Sequence, residues 1–183
     1  MVICTTPLCL PVGGGGKNHI RRDLDKIGGR IADSKVPQWL YILYFLHTDK
    51  WFRSLFYYRS GPLFKTLFGW YRPGDNSLII PASTTIGAGV SMEHAYSTVL
   101  NAEKIGDSFS FMQCTTIGVK TSGGKRPVIG NNVSLGAGVI IIGEVTVGNN
   151  VSIGAGTVVV KNIEDNAVVA GNPVRVIRYK NKA

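Results

Sequence analysis

From Ile129 onward an aliphatic residue recurs at every sixth position: Ile129, Leu135, Ile141, Val147, Ile153 and Val159. A second series follows four residues behind each member, at Val133, Val139, Val145, Val151, Thr157 and Ile163. Gly136, Gly148 and Gly154 directly follow core aliphatics. A period of six matches neither an amphipathic helix nor the alternation of a half-buried strand. It is the period of a β-helix, in which each hexapeptide lays down one short strand and one corner, and stacked coils share a continuous core. The pattern predicts a mainly β protein, with a parallel β-helix over 78–164 behind a helical region over 17–77.

The first half of the repeat is less regular. Ile80, Ile86 and Met92 are in step, one residue slips, and Val99, Ile105, Phe111 and Ile117 are in step again. The slip falls at His94, and such irregularities are enriched beside active sites. Residues 118–128 cannot form a coil side and read as a loop thrown out from a corner. In the helical region, Asp23 and Asp25 lie early in a short helix that stops near Gly28. Pro37 opens a second helix through Trp39, Leu40, Leu43 and Leu46. Trp51, Leu55 and Tyr58 continue it until Gly61-Pro62 breaks the run. Residues 1–16, ending in four glycines, are expected to be disordered. Residues 165–183 form a C-terminal cap and basic tail, since an open solenoid end is a sticky edge.

The net charge of +9 implies anionic partners such as nucleotide phosphates. No dense basic run is present, so nucleic acid is not expected. Cys4, Cys9 and Cys114 lack metal-type spacing, and their odd number suits a reducing, cytoplasmic compartment. Cys114 reads as a structural repeat position rather than a nucleophile. The chain's start lacks the positive region of a secretory signal. The apolar run of residues 39–47 is shorter than the roughly 20 residues that span a bilayer. It reads as a helical cap packed on the first coil or on another copy; docking on a membrane surface is the less favoured alternative.

His94 is the only histidine inside the repeat, at a break near a corner, where an imidazole can serve as a base at neutral pH. The segments SMEHAYST, TSGGKRP, GAGVIIIGEVTVGNNVSIGAGTVVVK and AGNPVRVIR resemble the hexapeptide acyltransferases. They are most similar to serine O-acetyltransferases and their relatives from bacterial surface-polysaccharide loci. The resemblance covers about residues 78–178. It implies a left-handed parallel β-helix assembled as a homotrimer with sites between subunits, and a dimer of trimers as the larger alternative. It implies acetyl-CoA as cosubstrate, with no metal. Carried over residue by residue, His94 is the general base, Glu93 helps hold the acceptor and Arg126 clamps a carboxylate. Gly136, Ala137, Gly154 and Ala155 make room for the pantetheine arm, and Lys161 and Arg175 lie near the nucleotide.

Two positions depart from the serine pattern. Leu78 stands where relatives carry the aspartate that orients the histidine, with Asp75 the nearest upstream carboxylate. Arg126-Pro127 stands where they read Arg-His-Pro. The function expected is therefore O-acetylation of L-serine, as in cysteine biosynthesis, or of a surface polysaccharide; a non-catalytic scaffold is the remaining alternative. A carbonic anhydrase on the same solenoid would need three histidine ligands, which the repeat does not supply.

Overall fold

The computed structural model describes residues 16–27 and 37–180. The segment expected to be disordered lies outside them, except for Gly16, which opens the first helix. Helices α1 (Gly16–Ile27), α2 (Gln38–Thr48), α3 (Lys50–Ser60) and α4 (Pro62–Phe68) precede the strands. Where one continuous helix was expected from Pro37 to Ser60, the chain breaks at Asp49. Its carboxylate caps α3 by accepting from the N–H groups of Trp51 (2.8 Å) and Phe52 (3.0 Å), which a helix running through this point could not leave free. Among the described residues no helix is long and apolar enough to cross a membrane.

From Leu78 the chain winds through short parallel strands on three walls. The first wall stacks Leu78–Ile79, Thr98–Leu100, Thr116–Gly118, Ile140–Ile142 and Val158–Val159. The second stacks Thr85–Ile86, Lys104–Ile105, Val128–Ile129 and Thr146–Val147. The third stacks Ser91–Glu93, Ser110–Met112, Ser134–Leu135, Ser152–Ile153 and Ala167–Ala170. The six-residue series faces inward as the period requires: Ile129, Leu135, Ile141, Val147, Ile153 and Val159 are all buried in one core.

Two expectations are corrected here. Val99 pairs with Thr116 and Leu100 with Ile117, so Leu100 rather than Val99 enters the core. The step from Met92 is therefore two residues longer than a regular rung, not one. The surplus is taken up at the corner, where both His94 (φ 50°) and Ser97 (φ 52°) are left-handed. The solenoid also runs past residue 164. Ala167–Ala170 pairs in parallel with Ser152–Ile153, with Ala167 and Val169 pointing inward. The final strand, Arg175–Tyr179, then turns back antiparallel and covers that wall's exposed edge.

The edge between the second and third walls is held by a polar ladder. The Oδ1 atoms of Asp107, Asn131, Asn149 and Asp165 accept from the backbone N–H of Ala88, Asp107, Asn131 and Asn149, at 2.6–2.9 Å. Asn132, Asn150 and Asn166 take the left-handed corner position, and their amides chain together at 2.8 and 2.9 Å. Asparagine tolerates that backbone better than other side chains do, which is why the corners read Gly-Asn-Asn.

Helix α3 closes the other end of the prism. Leu55 enters the solenoid core, flanked by Trp51 and Tyr58, while Phe52, Phe56 and Tyr57 pack with α1 in a second cluster. Helix α2 packs on this helical layer, with Phe45 against Phe52, and buries none of its residues. So α3, not the apolar run of α2, is the element seated on the first coil. The seat is fastened by Arg59 and Asp23, whose side chains are 4% and 2% exposed and paired at 2.9 Å. Arg59 also donates to the carbonyls of Ile86 (2.7 Å) and Gly87 (2.6 Å), and Asp23 accepts from the N–H groups of Gly89 and Val90 (both 2.8 Å). Removing one partner leaves an uncompensated buried charge. Asp23→Ala should cost about 3–5 kcal/mol in urea unfolding. Arg22→Ala, which breaks the half-exposed pair with Asp107, should cost about 1 kcal/mol or less.

Candidate active site

The strand Ser91–Glu93 delivers His94 to the corner between the third and first walls. The imidazole is exposed, and no hydrogen bond to it is formed by the described residues. Its left-handed backbone is costly for a non-glycine residue and is held by its surroundings, since the Tyr96 N–H donates back to the His94 carbonyl at 2.6 Å.

Below His94 the same corner repeats coil by coil. Cys114 N–H donates to Tyr96 O (3.0 Å), Gly138 to Gln113 O (2.9 Å) and Gly156 to Ala137 O (2.8 Å). Gly136, Ala137, Gly154 and Ala155 therefore line up on the edge that carries His94. The glycines are required by close approach: a Cβ on Gly136 would lie 2.6 Å from Ala155 N, and one on Gly154 would lie 3.0 Å from the Ala170 Cβ. A shallow groove of about 320 Å³ runs across the third wall, lined by Ser91, Glu93, Ser110, Met112, Ser134 and Gly136. Arg175 pairs with Ala170 on the last strands of the third wall, outside the groove's lining. Cys114, read as a structural repeat position, is exposed on this edge, where the corner turns through it with φ 58°.

Arg126 and Lys161 are not brought there. Both belong to the connections between the first and second walls, a different edge of the prism. The Arg126 guanidinium donates to the Ser83 carbonyl (3.1 Å) and hydroxyl (2.9 Å), and the neighbouring Lys125 pairs with Glu144. One chain thus places the predicted set on two different edges of the prism.

Residues 126–161 match the bacterial transferase hexapeptide repeat (six repeats). The whole architecture, helices included, superposes on the serine acetyltransferase (CysE) of Neisseria gonorrhoeae with a TM-score of 0.71, at 26% identity over 92% of this chain and 68% of that one. The chain carries a hexapeptide-repeat segment and shares the fold of the serine acetyltransferases. Among its relatives is a putative colanic acid biosynthesis acetyltransferase, WcaB, of Escherichia coli K12, 44% identical over 99 residues, which are 53% of this chain and 61% of that protein. Serine acetyltransferase 1, chloroplastic, of Arabidopsis thaliana is 43% identical over 98 residues, 52% of this chain and 31% of that protein. The chain thus spans about six-tenths of the first relative and a third of the second. The Neisseria enzyme has also been solved with serine bound, matching this chain at 27% identity and a TM-score of 0.68.

Leu78 is a core residue, 6% exposed, so no carboxylate approaches His94 from that position. Asp75 does not replace it. Its Oδ1 accepts from the Ser77 N–H (2.8 Å) and hydroxyl (2.7 Å), and its Oδ2 lies 2.8 Å from the Lys50 ammonium in an ion pair. Burial opposes ionisation of Asp75, but Lys50 and Ser77 outweigh it and hold the carboxyl down at about 2.

Two parts of the site were missed in the sequence. One is a column of serines lining the groove, Ser91, Ser110 and Ser134, continued below by Ser152, whose hydroxyl lies 3.0 Å from that of Ser134. It was legible, since a serine precedes the inward residue of each of these four third-wall strands. The other is Trp51, whose ring stands edge-on to His94; no local signal joins a helix to a corner 43 residues later in the sequence.

Because the folded pKa of Asp75 lies below its ordinary value of 3.8, its contribution is fully present above pH 4 and is lost as pH falls toward 2. Asp75→Asn should therefore lower stability by about 1–2 kcal/mol at neutral pH, allowing for the exposure of Lys50. The gap from the parent should close between about pH 4 and pH 2 in denaturant titrations.

Proposed function

We propose that this chain is an acetyl-CoA-dependent O-acetyltransferase that transfers directly to an acceptor hydroxyl, with His94 as general base. The observation that carries the reading is His94, solvent-facing and next in the chain to Glu93, which lines a groove together with Gly136; Gly154 follows Gly136 one coil on along the same edge. An extended pantetheine arm needs small residues of this kind beside it, and the serine column offers it hydroxyl partners. His94 takes the proton of the acceptor hydroxyl, and the oxygen attacks the acetyl carbonyl. As the carbon–sulfur bond breaks, the proton returns to the departing thiolate. No acyl-enzyme is required; Glu93, exposed beside His94, is the residue proposed to hold the acceptor.

The division of the predicted residues between two edges supports a homotrimer in which the edge bearing Arg126 and Lys161 faces the His94 edge of a neighbour. The positive charge of Lys161 and Arg175 suits the nucleotide phosphates. A saccharide hydroxyl is the favoured acceptor. Arg126 is engaged by Ser83, the serine-type aspartate is replaced by Leu78, and the first relative carries the name of a putative colanic acid biosynthesis acetyltransferase. L-serine is the second reading, supported by Glu93 beside His94 and by the likeness to a serine-bound enzyme. The odd, unpaired spacing of Cys4, Cys9 and Cys114 supports a reducing, cytoplasmic setting for the reaction.

The test is thiol release from acetyl-CoA across L-serine, homoserine, simple sugars and acidic oligosaccharides. Turnover is expected with a saccharide, and His94→Ala should lower kcat on the order of 10²-fold. Coenzyme A should raise the unfolding temperature of both proteins. Turnover with serine alone would select the second reading. Neither thiol release nor a thermal shift would leave only the scaffold.

A further inference from the structure

We propose that Trp51 takes over the task of the absent carboxylate and acts as the positioning residue of His94, an inference that rests on the acetyl-transfer reading above. The two rings meet edge-to-face, with centroids 6.1 Å apart and planes at 90°. This is a preferred geometry for aromatic pairs. Since no described residue hydrogen-bonds the imidazole, this packing is what restricts its rotation.

The indole is itself firmly held, although its buried Nε1 finds no acceptor. Its backbone N–H is tied to the Asp49 cap at 2.8 Å. The Lys50 ammonium lies 5.3 Å from the indole centroid and pairs with Asp75 at 2.8 Å. Asp75 is fixed in turn by Ser77 and by its own N–H donating to Ser54 Oγ at 2.7 Å. One turn on, Leu55 is locked into the solenoid core. The displaced carboxylate Asp75 therefore still acts on His94, through Lys50 and then Trp51 rather than by direct contact. A carboxylate would both orient the imidazole and stabilise its charged form. The indole supplies orientation alone, so its loss should reach turnover through geometry and leave donor binding untouched.

The experiment is a double-mutant cycle in the full chain, with acetyl-CoA and the acceptor that the survey identifies. Trp51→Leu should lower kcat about tenfold with the KM for acetyl-CoA unchanged. Trp51→Phe, which keeps an aromatic edge, should stay within about threefold of the parent. In the His94→Ala background Trp51→Leu should have no further effect, because the ring it positions is gone. Should leucine unfold the chain, Lys50→Met decides. It leaves the indole but frees its face, and should lower kcat about threefold only when His94 is present. Unchanged kcat, an equal loss in the His94→Ala background, or a change confined to KM would overturn the positioning role. Near-parental turnover in His94→Ala alone would instead overturn the acetyl-transfer reading.

Discussion

The buried pair of Arg59 and Asp23 is the joint on which the rest of the structure depends. A guanidinium and a carboxylate withdrawn from water are tolerable only when every donor and acceptor is used. Here they are used on the backbone of the first coil, from Ile86 to Val90. That choice welds α1 and α3 to the solenoid in one orientation. It fixes where Leu55 plugs the core and where Trp51 meets His94. A hydrophobic seat alone would permit α3 to slide or rotate; the directional bonds do not.

Much of the fold was legible because the solenoid is quasi-one-dimensional. Each rung repeats the same local demands, so a period of six in Ile129 to Val159 is enough to define walls, corners and core. The Gly-Asn-Asn corners are equally local, since each asparagine serves the coil next to it. Reading failed where two local solutions compete. Val99 and Leu100 are both good core residues, and only the pairing with Thr116 and Ile117 decides which one turns inward. Asp49 looked like one polar residue in a helical run; its role appears only once the break it caps is seen.

The site was half legible for the same reason. His94, Glu93 and the glycine column share a repeat register, so sequence places them together. Arg126 and Lys161 share a different edge, and nothing in a linear pattern says whether two edges of one prism or of neighbouring prisms meet. The contact between Trp51 and His94 is tertiary on both sides. It joins a helix cap to an over-long corner, and neither feature announces the other.

The two ends of the prism are closed by unlike means, α3 at the first coil and the antiparallel strand Arg175–Tyr179 beside the last. A parallel stack with bare ends would be a template for endless axial growth, each molecule extending the rungs of the one before. With both ends of the stack covered, any contact between identical copies would have to be made flank to flank. Lateral contact of that kind favours a closed ring over a filament. The plugs at the ends thereby leave the flanks, which carry His94 on one edge and Arg126 on another, as the faces open to other molecules.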